Sequence, residues 1–327
     1  MANRDIVVIG GSAGALAALK TLLPGLPGDF PAAIFVVMHI GTTTHSVLPE
    51  ILSRAGPLPA QSARDGAGFE RGCIYVAPPD RHLLLDRGRI ALRRGPRENL
   101  ARPAIDPLFR SAAAEFGARV IGVLLSGMLY DGASGLRAIK RCGGIAGVQA
   151  DAPYPEMPSH ALDVTDVDHR VPAAEIAALL VRLMGEPAGA SPEVPEDIRF
   201  EARMAAGEVN GIKVEERLGT LTPLTCPECG GSLWEMEDGP VLRHRCHAGH
   251  AYDGKLLLAE QSEVIDRALW SALRVHEERA ALLRRQAEYA RAREADREAS
   301  RCEQLAAEHD EHVHSIRQFV MGEFARG

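Results

Sequence analysis

Long apolar runs are missing from this chain of 327 residues: nothing approaches the ~18–20 residues that a membrane span requires. The apolar stretch Ile6–Ile9 is too short for a secretion signal and is followed by glycines. No membrane insertion is expected, and the protein is read as cytoplasmic. An excess of positive charge is also missing. Lys and Arg number 37 against 44 Asp and Glu, a net charge of −7, so nucleic acid is not an expected partner. Cysteine is scarce. Of six, Cys73, Cys142 and Cys302 are scattered, while Cys226, Cys229 and Cys246 cluster, which suggests a metal rather than disulfides. Aromatic residues make up only 5%, and Trp234 and Trp270 are read as packing residues. What is present, 46% hydrophobic and 25% charged residues, is ordinary for a globular protein of about two domains at roughly 150 residues each.

Short apolar runs alternate with helical patterns over the first 184 residues. Ile6–Ile9, Ala33–Val37, Cys73–Val76, Val120–Leu125 and Ile145–Val148 read as buried strands. His82–Leu85 and Ile90–Leu92 flank Asp86-Arg87-Gly88 as a hairpin. Helices are expected over Ala15–Leu23, Ser46–Ser53, Asp106–Phe116, with Asp106 as N-cap, Ala133–Arg141 and Ala173–Met184. This alternation predicts an α/β domain, 1–184, with a doubly wound parallel sheet. Residues 185–197 have the composition of a linker. The cysteine cluster lies in a small module, 198–254. From Lys255 to Met321 there is neither glycine nor proline, and apolar residues recur at helical spacing. A helical hairpin over 255–327 is expected in preference to one long coiled coil. The charge run Glu277–Arg301 reads as a solvated helix face.

Three strand ends carry chemistry. Gly10-Gly11-Ser12-Ala13-Gly14 lies between a strand and a helix, the context of a nucleophile elbow, with the following helix directing N–H groups at the serine. A glycine-rich phosphate loop is the competing reading. That fold needs Asp or Glu at the end of the second strand, and this chain has Met38-His39-Ile40-Gly41. The third strand runs into Ser126-Gly127-Met128-Leu129-Tyr130-Asp131-Gly132, where Asp131 either caps the next helix or orients His39. Ser12, His39 and Asp131 together predict a serine esterase. The order Ser, His, Asp differs from that of the α/β-hydrolases. His45 and His82 read as turn or surface residues.

With these landmarks, and with Val76-Ala77-Pro78-Pro79-Asp80-Arg81-His82-Leu83 and Met157-Pro158, residues 5–184 resemble the catalytic domain of chemotaxis protein-glutamate methylesterases. The resemblance implies hydrolysis of glutamyl γ-methyl esters, and deamidation of glutamines, on the cytoplasmic region of methylated chemoreceptors. A methyltransferase or a separate regulator is a further expected partner. It assigns Ser12 as nucleophile, His39 as base and Asp131 as orienting acid. The backbone N–H groups of Met128 and Ala13 become oxyanion donors, and no catalytic cofactor is implied. Ala15, Met38 and Leu129 depart from the family pattern, Leu129 standing where glycine is common. No receiver domain is expected ahead of the first strand. The rival reading is a degenerate esterase fold that acts as a scaffold.

Cys226-Pro227-Glu228-Cys229 and Cys246-His247-Ala248-Gly249-His250 supply four ligands for a structural zinc: Cys226, Cys229, Cys246 and His250, the last preferred over His247. A zinc ribbon this small would take most of its folding energy from the ion. Removing zinc is expected to loosen the ribbon and leave esterase activity in place.

Overall fold

The structure is a computed structural model that describes residues 3–39, 46–208, 219–238 and 240–323. Ile40, Gly41, His45 and residues 209–218 of the cysteine module lie outside the described residues. Contacts group the chain into two compact units, residues 1–256 and 257–327.

The first unit is built on a parallel sheet of seven strands: β1 (Ile6–Gly11), β2 (Ala33–Met38), β3 (Ala60–Ser62), β4 (Ile74–Val76), β7 (Val120–Leu124), β8 (Ile145–Gln149) and β9 (His169–Val171). Their order is β3-β4-β2-β1-β7-β8-β9. Between β7 and β4 in the chain lies a hairpin, β5 (His82–Asp86) and β6 (Arg89–Arg93), turned by Arg87 and Gly88, both at positive φ. Side chains alternate between two cores. Val7, Ile9, Ile34, Val36, Ile121 and Val123 face one side, which α1 (Ala15–Leu22), α2 (Leu48–Ala55) and α6 (Ala173–Met184) cover. Val8, Phe35, Val37, Val120 and Leu124 face the other, covered by α3 (Ile105–Phe116), α4 (Ala133–Arg141) and α5 (Glu156–Val164). A sheet buried on both faces explains the near-continuous apolar runs. The chain winds outward from β1 in one direction and from β7 in the other. Their junction is the topological switch point, where such folds open a crevice at the strands' carboxyl ends.

Three elements of this domain escaped the sequence reading. Strands β3 and β9 have three residues each and polar composition. Helix α5 begins with Glu156-Met157-Pro158, and a proline in the first turn lacks only an N–H that has no helical partner there. Three expectations change. Asp106 is not the cap of its own helix: α3 starts at Ile105, and the Asp106 carboxylate instead accepts from Gly132 N at 3.0 Å and Gly135 N at 2.6 Å, at the start of α4. His82 is buried rather than at the surface. Its Nε2 donates to Pro96 O and its Nδ1 accepts from Ala104 N, and burial lowers its pKa. Trp270 is 42% exposed, whereas Trp234 packs with Phe200.

Residues 185–195, whose composition reads as linker, run along the sheet domain. Pro187 bridges to Asn3, Arg4 donates to Glu186 O, and Ser191 Oγ accepts from Ala118 N. Helix α7 (Glu196–Ala205) follows, and then an antiparallel sheet, β10 (Thr220–Thr225), β11 (Ser232–Asp238), β12 (Val241–Cys246) and β13 (Ala251–Asp253). A buried charge cluster ties this sheet to the domain. Glu201 of α7 meets Arg243 at 2.9 Å and Arg245 at 2.7 Å, and Glu98 meets Arg110 at 2.5 Å and Arg245 at 3.1 Å. Burial pushes the Glu98 carboxyl up, but Arg110 and Arg245 outweigh it and bring it from 4.5 to about 2. Because the folded pKa lies below the unfolded one, this contribution to stability is present above about pH 4.5 and is lost as pH falls toward 2. Glu201→Gln should lower the unfolding free energy at neutral pH by about 3–5 kcal/mol, since it leaves buried guanidinium charge uncompensated. At Glu201 burial is likewise outweighed, by Arg243, Arg110 and Arg245, and its pKa is held well below 4.5. Urea titrations should therefore show the gap between variant and wild type narrowing as pH falls below about 4.5. A constant gap would mean that Glu201 acts through packing.

The second unit is a helical hairpin, part of α8 (Gly254–Arg291) and α9 (Asp296–Glu323), turned through Glu294 at positive φ. Ala287, Ala290 and Ala299 form its buried contact near the turn. The run 277–301 is mostly exposed, as expected.

Candidate active site

The switch point gathers the residues singled out at three strand ends. Ser12 follows β1, and its N–H donates to Ser126 O at 2.9 Å beyond β7. His39 follows β2, and its N–H donates to Gly11 O at 3.1 Å. The elbow is close-packed. Gly14 has φ 81°, and a Cβ there would stand 2.6 Å from Ser126 Oγ. A Cβ at Gly127 would stand 3.1 Å from Ser12 Cβ and 2.8 Å from the Met157 sulfur. Only glycine fits either position without displacing the serine loop. Ser126, fully buried, braces that loop: its Oγ donates to Ala13 O at 2.7 Å and accepts from Tyr154 N at 3.1 Å.

His39 Nε2 donates to Asp131 Oδ2 at 2.7 Å. A carboxylate only accepts, so this bond places the proton on Nε2 and leaves the Nδ1 lone pair free when the ring is neutral. Among the described residues, Ser12 Oγ makes no hydrogen bond to His39, a gap common in substrate-free sites. The N–H groups of Ala13 and Met128 donate to no protein group among the described residues. Leu129 has φ 67°, a left-handed conformation that glycine adopts without cost, and its N–H donates to Glu156 Oε2 at 3.1 Å.

Asp131 is 1% exposed and accepts four hydrogen bonds. Oδ2 takes His39 Nε2 and Ile105 N, the latter at 2.6 Å; Oδ1 takes Asp106 N at 3.1 Å and Asn99 Nδ2 at 3.4 Å. Asp131 thus caps α3, while Asp106 caps α4, each carboxylate serving the other's helix. Burial first, and then the charge of Asp131, push Asp106 up to about 7. Asn99, held at positive φ, also donates to Asp106 Oδ2 at 3.1 Å. Its own backbone N–H donates to Ala251 O at 2.9 Å, and its Oδ1 accepts from Asp253 N at 3.3 Å. One asparagine therefore joins the buried carboxylates to β13. Sequence reasoning missed Asn99 and misplaced Asp106, because both act through partners distant in the chain.

The four expected metal ligands come together 24 residues apart at the extremes. Cys229 Sγ and Cys246 Sγ are 3.8 Å apart, and His250 Nδ1 lies 3.7 Å from Cys226 Sγ and 3.6 Å from Cys246 Sγ. A tetrahedron with Zn–S of about 2.3 Å and Zn–N of about 2.0–2.1 Å has edges of about 3.8 Å and 3.6 Å. The donor set and its spacing fit that ion.

The family described as CheB methylesterase matches residues 7–180. A relative from Leptospira interrogans is 39% identical over 184 residues, which cover 55% of this chain and 95% of that protein. The protein-glutamate methylesterase/protein-glutamine glutaminase 2 of Anaeromyxobacter dehalogenans is 41% identical over 184 residues, 56% of this chain and 54% of that protein. The chain thus spans nearly all of the first relative and about half of the second. The crystal structure of the Thermotoga maritima CheB methylesterase catalytic domain superposes with a TM-score of 0.53 at 33% identity, covering 56% of this chain and all of that one. The parallel α/β core is therefore that of a CheB catalytic domain, with further C-terminal helices beyond it. On the match through residues 7–180 and the shared fold, this chain belongs to the CheB methylesterase family.

Proposed function

We propose that the protein hydrolyses glutamyl γ-methyl esters on the cytoplasmic region of methylated chemoreceptors, with deamidation of receptor glutamines as a second reaction of the same site. The observation that carries this reading is the 2.7 Å bond from His39 to buried Asp131 beside the Ser12 elbow. Ser12 Oγ attacks the ester carbonyl as His39 Nδ1 removes its proton. The tetrahedral oxyanion rests on the N–H groups of Ala13 and Met128. The intermediate collapses, the C–O bond to methanol breaks, and His39 returns the proton to the leaving oxygen. Water, activated by the same nitrogen, then cleaves the glutamyl-serine ester. Asp131 holds the ring and stabilises its protonated form. A fluorophosphonate should modify Ser12, as read by peptide mapping, and leave Ser126 untouched; label on another serine removes Ser12 from this role. The intact hydrogen bonding of His39 and Asp131 argues against the degenerate scaffold.

Cys226, Cys229, Cys246 and His250 would hold a structural zinc that fixes the β10–β13 sheet and takes no part in the chemistry. The Asn99 bridge changes the expected outcome of its removal. Chelation should lower turnover about 10-fold or more, on the order of one charge-assisted hydrogen bond, because loosening Ala251 and Asp253 releases Asn99 from Asp131. Asn99→Ala should reproduce the loss with zinc still bound. Full turnover in zinc-free protein would show that the module and the site are independent.

A further inference from the structure

The helical hairpin contains a second set of nitrogen donors, unrelated to the esterase. Between Leu273 and Val320 the residues with reduced exposure follow a seam of alternating three- and four-residue spacing. On α8 these are Leu273, His276, Ala280, Leu283, Ala287 and Ala290; on α9 they are Ala299, Cys302, Ala306, His309, Val313, Ile316 and Val320. This is the pattern of two helices packing through one apolar stripe. Two of its positions are imidazoles, His276 and His309, and they face one another across the hairpin with Nδ1 atoms 2.7 Å apart. His312, one turn along α9 from His309, brings a third ring, and the ring centroids are 4.9, 5.0 and 6.0 Å apart. One ligand nitrogen from each ring lies within 4.8 Å of the others.

We propose that His276, His309 and His312 form a binding site for a first-row divalent transition metal, one that clips α8 to α9. Apolar seams seldom hold a polar pair without a reason, since a half-buried imidazole finds no hydrogen-bonding partner among neighbouring alanine and valine side chains. Two facing rings satisfy one nitrogen each, and a single proton must be shared between them. A metal at about 2.0–2.1 Å from each nitrogen needs donor separations of roughly 2.9–3.4 Å. The His276–His309 pair stands close to that at 2.7 Å, and His312, with a nitrogen within 4.8 Å, reaches it by turning its side chain inward. All-imidazole donors select Zn2+, Ni2+, Cu2+ or Co2+ over the oxygen-seeking Mg2+ and Ca2+. His312 is exposed, so the coordination shell stays open toward solvent on that side. Nothing in the site uses the cysteine ligands, which lie in the other compact unit.

The test uses the full-length chain without an affinity tag, carrying the zinc bound by its cysteine module. Calorimetric titration with Ni2+ at neutral pH should show one further site per chain, with the bound zinc content unchanged afterwards. Ni2+ should also raise the melting temperature of the helical signal, because a ligand that binds only the folded hairpin stabilises it. The double variant His276→Ala, His309→Ala should lose the site, and exposed His312→Ala should weaken it at least about 10-fold, since losing even a group that only orients a metal ligand costs that much. His314→Ala should bind as the wild type does. If circular dichroism shows the double variant unfolded, His312→Ala decides the matter, since an exposed position leaves the seam intact. The proposal falls if neither Ni2+ nor Zn2+ binds up to millimolar concentration, if His312→Ala binds with unchanged affinity, or if nickel enters only by displacing zinc.

Discussion

Ser12→Ala is expected to lower methyl-ester turnover by about 10⁶-fold, to the rate left by substrate binding and the oxyanion donors. The reason is covalent. Without Oγ there is no acyl-enzyme, and His39 has no proton to remove from a positioned nucleophile. Stability should scarcely change. Among the described residues the Ser12 hydroxyl makes no hydrogen bond to His39, and the loop is held by backbone contacts and by Ser126, not by the Ser12 side chain. Rapid-quench measurement of methanol, with circular dichroism as the control on folding, checks both halves. Turnover within 10-fold of wild type would take the nucleophile role away from Ser12.

Asp131→Asn should show a loss of about 10⁴-fold in turnover, the scale seen when a triad's histidine loses tautomer control. A second effect sets this site apart. Each oxygen of Asp131 accepts two donors: His39 and the Ile105 N–H on one, the Asp106 N–H and Asn99 on the other. An amide has a single acceptor oxygen, so either orientation of asparagine turns an NH2 group toward two donors. The unsatisfied end of α3 should cost about 1–3 kcal/mol, detectable as a lower urea midpoint. Asp131→Asn is therefore expected to change both turnover and stability. Of the alternatives weighed for Asp131, a cap on the helix that follows is replaced by a cap on α3, and the same carboxylate also accepts from His39 Nε2.

The parts of the site that could be read in the sequence are those written locally. Strand, glycine turn and helix around Ser12 are contiguous, and His39 and Asp131 sit at the ends of strands whose apolar runs are unmistakable. The switch point follows from the alternation of elements, since chirality and short connections leave few ways to wind such a sheet. The parts that could not be read depend on contacts between distant segments. Asp106 looks like an N-cap in a window of ten residues, and only the approach of β7's following turn reveals that it serves α4. Asn99 has no local signature. Arg243 and Arg245 have no local sign of burial either; they are paired by Glu98 and Glu201, which lie more than 40 residues away in the chain. The docking of the cysteine module through buried charge is accordingly a property of the tertiary structure, as is its bridge to Asp131. His276 and His309 stand on the apolar stripe of the hairpin, so their pairing was encoded in spacing, though it appears only when α9 is folded back on α8.

The most direct measurement of the account is methanol release from the methylated cytoplasmic fragment of a chemoreceptor, incubated with the full-length protein and, in parallel, with its Ser12→Ala variant. Methanol is expected in proportion to the glutamyl esters lost, with free glutamate side chains as the other product, from the wild type alone. Folded wild-type protein that releases no methanol above the spontaneous rate, across chemoreceptor fragments, would contradict it.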